Sequence, residues 1–208
     1  GVLCLAGPVA VLVAAAGAIT PLLAIVVGIL LPEVVVVGVV CFGRVVFPIR
    51  DSSGRYIGFG GRVMIEGAGP KPNAKYLNSP ETDLYQKGSV LFGLQQARQA
   101  IRMTRSIIVC EGFFDVVTPS QAQIEHIVST CGTALTETQA EMVLSLADRV
   151  FFCFDGDAAG AKATWRAAEM QVPLASDQHE IRLCRLPAYE DPDSFVRKFG
   201  APKFQEAL

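Results

Sequence analysis

Hydrophobic positions in this chain follow two regimes. Through residues 1–43 they run almost unbroken, with Thr20 and Glu33 the sole clearly polar side chains, and from Arg44 onward short apolar runs alternate with polar punctuation. Val45–Ile49, the turn residues Asp51-Ser52-Ser53-Gly54 and the returning Arg55–Phe59 predict a β-hairpin. Gly60-Gly61-Arg62 would let the backbone come close to something with a base beside it, and Glu66–Ala74 reads as a Gly/Pro loop. In Gly93–Arg102 the spacing of Leu94, Ala97 and Ile101 predicts one buried helical face. After it come strand Ser106–Cys110, helix Val116–Gln123, strand His126–Thr130, helix Thr136–Leu146, strand Arg149–Phe154, helix Ala158–Met170 and strand Glu180–Leu186. That alternation predicts a largely parallel sheet covered by helices. The fold class is therefore α/β: an α+β part over 44–105 and an α/β domain over 106–200. Trp165, at helical spacing, reads as core. Ser194–Gly200 and Pro202–Leu208 read as further helices, so that 201–208 opens a C-terminal helical region.

Residues 1–43 form an anomalous apolar segment. Pro8, Pro21 and Pro32 cut it into pieces of twelve and ten residues, each short of the roughly 20 that span a bilayer. No basic stretch precedes them. The restricted alphabet departs from that of a natural soluble sequence, and its side-chain identities are the first question it raises. A buried hydrophobic subdomain ranks second and a membrane anchor, as one kinked helix over 8–32, third. No function is read from this segment.

Carboxylates collect where predicted strands end. Val150–Phe154 stops at Asp155-Gly156-Asp157, and Asp157 is placed to cap the next helix. Such a cap alone is structural as often as functional. Ser106–Cys110 also stops at an acid-glycine step, Glu111-Gly112, with Asp115 one helical turn on. Glu190-Asp191-Pro192-Asp193 follows the third strand. Three strand ends carrying carboxylates would repel one another, and a divalent cation held by hard oxygen ligands is the economical remedy. Gly132-Thr133 fits either a phosphate-binding loop or a plain turn.

Charge divides the chain. Residues 44–105 hold ten bases and four acids, a net +6, whereas 106–208 hold eight bases and fifteen acids, a net −7. A polyanionic partner on one side and metal on the other would account for the split. The six cysteines include no CxxC pair, and Cys110, Cys153 and Cys184 fall inside apolar runs, so buried free thiols are expected rather than zinc ligands or disulfides. His126 and His179 stand isolated and read as structural or surface residues.

The acidic signatures, EGFFD at Glu111–Asp115, DGD at Asp155–Asp157 and EDPD at Glu190–Asp193, resemble the Toprim signature shared by bacterial primases, topoisomerases and some nucleases. KYLNSPET at Lys75–Thr82, with FPIRD at Phe47–Asp51 and GFGGR at Gly58–Arg62, is similar to segments of the RNA polymerase domain of bacterial replicative DNA primases. The resemblance runs from about Gly43 to the end. It implies a nucleotidyltransferase that makes short RNA primers on single-stranded DNA from ribonucleoside triphosphates in the cytoplasm. It implies Mg²⁺ or Mn²⁺, catalytic Glu111, Asp155 and Asp157, and Asp115, Asp191 and Asp193 as further metal ligands. Arg50, Arg62, Lys75 and Lys87, and more weakly Arg44, Tyr76 and Asn78, would bind template and nucleotide. A replicative helicase would be met through a region outside this chain, and no membrane partner is expected. Two rivals stay open: another Toprim enzyme, although none of the four tyrosines has a motif marking a topoisomerase nucleophile, and a non-catalytic primase-like nucleic-acid-binding domain, which would be expected to lack these acids.

Overall fold

The computed structural model describes residues 12–13, 44–63 and 75–208. The readings of 1–43, apart from a two-residue strand, and of the loop at 66–74 lie outside the described residues. Two compact units divide the chain, Gly1–Glu81 and Thr82–Leu208. This division falls ahead of residue 105 and assigns the helix at 94–104 to the second unit.

The first unit contains an antiparallel sheet in the order β1-β2-β3-β4, with β1 at Leu12–Val13, β2 at Arg44–Arg50, β3 at Tyr56–Val63 and β4 at Tyr76–Asn78. The hairpin of β2 and β3 closes on Asp51, whose Oδ1 accepts from the amides of Ser53 at 2.8 Å and Arg55 at 3.0 Å. Gly54 supplies the left-handed turn residue, φ 87°. Pro48 pairs with Phe59 beyond the two positions where β1 meets β2, which is where a strand tolerates a residue that cannot donate. Gly60 and Gly61 lie inside β3, between Phe47 and Val46 on one side and Asn78 and Leu77 on the other, so what their backbone approaches is neighbouring strand.

The second unit is built on a parallel sheet in the order β6-β5-β7-β8: β5 is Ser106–Cys110, β6 Ile127–Ser129, β7 Arg149–Cys153 and β8 Glu180–Cys184. Helices α1 (Leu94–Thr104), α2 (Phe114–Gln121), α3 (Glu137–Leu146), α4 (Ala158–Gln171) and α5 (Pro192–Ala207) connect and flank the strands. Every residue of β5 is buried, as a run of five without polar alternation requires. Leu94, Ala97 and Ile101 enter the same core as Ile107, Val109, Val150 and Phe152. Thr136 and Gln139 form a capping box on α3, and Gln139 Nε2 also donates to the carbonyls of Lys87 at 3.0 Å and Val90 at 2.8 Å. At Gly200 (φ 81°, ψ 166°) α5 breaks into two helical pieces, as the sequence leads one to expect. The four cysteines of this unit are free and buried.

Trp165 is not core. It is 59% exposed, and its indole Nε1 donates to Glu169 Oε1 at 2.8 Å. The buried positions of α4 are Gly160, Thr164, Ala167 and Gln171, a stripe of small or polar residues beside the sheet.

Candidate active site

Because β5, β7 and β8 are parallel neighbours, their C-terminal ends share one edge of the sheet, the side where open α/β sheets bind ligands. Glu111 follows β5 directly, and its carbonyl accepts from Gly132 N at 2.8 Å, which fastens the end of β5 to the loop after β6. The amide of Gly112 donates to Asp115 Oδ2 at 2.8 Å, folding Asp115 back over the turn from the start of α2. Asp155 and Asp157 follow β7. Asp157 is the N-cap of α4, its Oδ1 accepting from Gly160 N at 2.7 Å.

Two glycines set the shape of this turn by close approach. A Cβ on Gly156 would lie 2.1 Å from Pro187 O, and one on Gly160 would lie 2.1 Å from Asp155 O. Gly156 N donates to Glu190 O at 2.8 Å, so the turn after β7 is pressed against and bonded to the loop after β8. That loop places Asp191 as the N-cap of α5, accepting from Ser194 N at 2.6 Å, with Asp193 in the first turn.

The acids brought together in this way feel one another. Burial, then the charges of Asp155 and Asp157, raise the Glu111 carboxyl above its ordinary value. Asp115, only 6% exposed, is pushed up to about 7 by burial first and by the charge of Asp191 next, with the Gly112 amide working the other way. The Cys110 thiol beneath the edge is driven well up by burial, Asp115, Glu111 and Asp155, which keeps it an inert buried thiol. Asp193 differs from the rest. It pairs with Arg197 Nε at 2.6 Å and accepts from the Thr118 hydroxyl, so one of its oxygens is already committed. Glu190 is held below its ordinary value by Lys198, whose Nζ lies 2.7 Å from Oε1.

All the donors at this edge are hard oxygens that repel one another when ionised, the chemistry a divalent cation relieves. Among the described residues, no three His, Cys, Asp or Glu side chains stand together as a ready ligand set. The edge is thus an acidic rim of compatible donor chemistry.

Asp115 makes the rim pH-sensitive. Its folded pKa of about 7 exceeds the ordinary 3.8, so native protein retains a proton that unfolded chain releases. In chelator, stability should therefore fall as pH rises from about 4 to about 7, by roughly 4 kcal/mol at most. Asp115→Asn should flatten that decline in a series of thermal melts, and a wild-type curve already flat over this range would refute the assignment.

A cleft of about 240 Å³ opens beside Glu111, lined by Gly132, Thr133, Leu135, Phe154 and Arg166. The hydroxyls of Thr130 and Thr133 bond to one another's carbonyls at 2.6 and 2.8 Å, and Gly132 N is engaged by Glu111, so this loop is a tightly closed turn. Arg166 escapes a sequence reading, since nothing in its local pattern separates it from other bases on a helix surface.

The predicted nucleic-acid residues belong, except for Lys87, to the first unit. Arg62 and Tyr76 are partners across β3 and β4, with the guanidinium 5.8 Å and the Lys75 ammonium 5.9 Å from the Tyr76 ring centroid. An aromatic face 41% exposed and flanked by two cations suits a single-stranded polyanion. Arg50 stacks at 4.4 Å over Tyr56 and bonds to its hydroxyl. Asn78 ends β4, and the next residue, Ser79, bonds twice to Phe59, its amide to the carbonyl and its hydroxyl to the amide. Arg44 is 1% exposed and donates to Lys75 O at 3.3 Å, a scaffold role within the sheet. Lys87 opens a 3₁₀ turn in the second unit.

A parallel sheet with acids at the C-terminal ends of adjacent strands defines a Toprim-like domain, and residues 108–196 match that family, described as "Toprim-like". Residues 37–98 match the family described as "DNA primase catalytic core, N-terminal domain". The chain belongs to the bacterial DNA primases, over their catalytic core. It is 48% identical over 165 residues to the DNA primase of Pseudomonas aeruginosa and 44% identical over 165 residues to that of Neisseria meningitidis serogroup A, in each case across 79% of this chain. It spans about a quarter of the length of these relatives, 24% and 27%. Among solved structures, the E. coli primase catalytic core superposes with a TM-score of 0.73 at 42% identity, covering 80% of this chain and 51% of that one. A DnaG primase catalytic domain bound to single-stranded DNA does so with a TM-score of 0.73 at 42% identity, covering 79% and 52%. Membership of this family implies use of a divalent metal. No helix among the described residues is long and apolar enough to cross a membrane.

Proposed function

We propose that this chain is the catalytic core of a DNA primase, joining ribonucleoside triphosphates into short RNA primers on a single-stranded DNA template. The observation that carries the reading is the convergence of three parallel strand ends on one acidic rim, where burial and then mutual repulsion raise Glu111 and Asp115. The names of the relatives and the DNA-bound structural neighbour support it.

Asp155 and Asp157 would hold Mg²⁺ or Mn²⁺, with Asp115, Asp191 and Asp193 as further oxygen donors around them. A cation held by these residues would supply charge neutralisation at the triphosphate and ease deprotonation of the attacking 3′-hydroxyl. Glu111, half-buried and raised in pKa, suits a general base at that hydroxyl or a ligand beside it. Helix α4 keeps Asp157 oriented through the Gly160 amide. The anchored turn at Gly156 keeps the two aspartates in place against the loop after β8. Arg50, Arg62, Lys75 and Tyr76, with Asn78 and Lys87, would hold the template and the triphosphate by charge and stacking. The same reading implies a replicative helicase, met through a region outside this chain, and action in the cytoplasm. Rival readings as a topoisomerase, a nuclease or an inert binding domain gain no support from the comparisons.

Synthesis of ribonucleotide dimers and longer primers on single-stranded DNA, with release of pyrophosphate, tests the proposal. No product with either Mg²⁺ or Mn²⁺ would sink it. The same preparation tests the template contacts. Log affinity for single-stranded DNA should fall with log salt by roughly 0.7 per phosphate neutralised. Arg62→Ala and Lys75→Ala should each make that slope shallower by about one phosphate's share and weaken binding alike on all sequences. Lys162→Ala and Lys203→Ala should leave the slope unchanged. Anisotropy titrations at several salt concentrations decide, and an unaltered slope in the Arg62 and Lys75 variants would place the nucleic acid elsewhere.

A further inference from the structure

Tyr189 combines two unfavourable features. Its backbone is left-handed, φ 68°, a region where a Cβ crowds the chain and glycine is the natural occupant. Its side chain is 93% exposed, more than any other large hydrophobic among the described residues. A residue strained in the backbone and solvated at the ring is disfavoured by the fold itself, and such outliers gather where a ligand is handled.

The location is specific. Tyr189 lies between Pro187, whose carbonyl presses on Gly156 and accepts from Glu190 N at 3.1 Å, and Glu190, whose carbonyl accepts from Gly156 N at 2.8 Å. Two residues on, Asp191 caps α5 and raises Asp115. The main chain on both sides of Tyr189 is therefore fixed to the turn that carries Asp155 and Asp157, while the ring stands in solvent beside the acidic rim. A neutral, flat, amphipathic ring carried on anchored main chain next to carboxylates cannot attract a phosphate, but it can stack on the uncharged face of a base.

We propose that Tyr189 is a positioning residue that stacks on a nucleobase held at the acidic rim, the base belonging either to a nucleic-acid strand or to a nucleoside triphosphate. The inference rests on the function proposed above and adds a contact to it.

The test uses the whole chain with Tyr189→Phe, Tyr189→Ala and Tyr189→Gly. Binding is measured by anisotropy of a labelled oligothymidylate and, separately, by calorimetric titration of ATP with Mg²⁺. Tyr189→Phe should bind within about twofold of wild type, because the π-face is retained. Tyr189→Ala and Tyr189→Gly should weaken one ligand by about fivefold or more, the lower end of a lost base stack. The salt slope should not change, since no charge is removed. Tyr189→Gly should melt at the same or a higher temperature, because glycine adopts this backbone freely. A loss confined to the oligonucleotide arm assigns the base to the strand, and one confined to the ATP arm assigns it to the incoming nucleotide. Undiminished binding of both ligands by Tyr189→Gly would overturn the inference while wild-type primer synthesis still stood. Wild-type binding without primer synthesis would overturn the proposed function and leave the stacking contact. A wild-type chain that binds neither ligand overturns both.

Discussion

Asp155→Asn and Asp157→Asn should each reduce primer synthesis by more than about 100-fold, beyond what the loss of a merely supporting group around a metal produces. The fold should survive. Asparagine caps a helix as well as aspartate, so Asp157→Asn keeps the bond to Gly160 N and the start of α4. Asp155→Asn removes one of the charges that raise Glu111 and Asp115, so the metal-free protein gains from relieved repulsion. Asp157→Ala forms the contrast, because it loses the cap as well, at about 1 kcal/mol of stability. Primer yield per folded molecule, read beside thermal melts in chelator, separates the two effects. A fall of many degrees in the melting temperature of both asparagine variants would show the carboxylates to be structural, and the catalytic assignment would go with it.

The second large effect is expected from a single methyl group. Gly156→Ala places Cβ 2.1 Å from Pro187 O, 2.9 Å from Pro187 C and 3.0 Å from Leu186 O, all of them backbone, so no flexible side chain can give way. The turn after β7 must leave the loop after β8, with loss of the Gly156 N to Glu190 O bond. Overpacking of this kind is expected to destabilise by about 3 kcal/mol or more. Activity per folded molecule should also fall, because Asp155 and Asp157 move away from Asp191. Gly132→Ala is the control. Its Cβ would meet nothing within 4 Å and suffers only from φ 73°, a strain of roughly 1–2 kcal/mol. Melting and primer synthesis measured side by side would refute the argument if Gly156→Ala behaved like Gly132→Ala.

Much of this arrangement is legible in the sequence, because local chemistry and tertiary structure agree there. In SIIVC four apolar residues follow Ser106 without alternation, the mark of a strand buried on both faces, and Leu94, Ala97 and Ile101 mark a helical face that nothing contradicts. Asp157 announces the start of α4, and it caps that helix. Three acid-bearing strand ends on one edge also follow, once the sheet is parallel. What misleads is the assumption that the largest apolar residue marks the buried face. In α4 the small and polar Gly160, Thr164, Ala167 and Gln171 are the ones turned inward, and Trp165 is left to pair with Glu169. Gly60-Gly61 misleads for a related reason, since glycine signals close approach without saying to what, and here the neighbours are β2 and β4. Tyr189 is illegible locally because its backbone conformation depends on the bonds made around Pro187 and Glu190.

The two bonds that tie the rim together, Gly132 N to Glu111 O and Gly156 N to Glu190 O, run from main chain to main chain. Neither one depends on the identity of a carboxylate. For protein engineering this makes the rim a chassis, in which the glycines are fixed parts and several acids are interchangeable fittings. Libraries that vary Glu111 and Asp155 among acids, amides and histidine should yield a high fraction of folded members, and a search for altered metal preference could begin there without first rebuilding the scaffold.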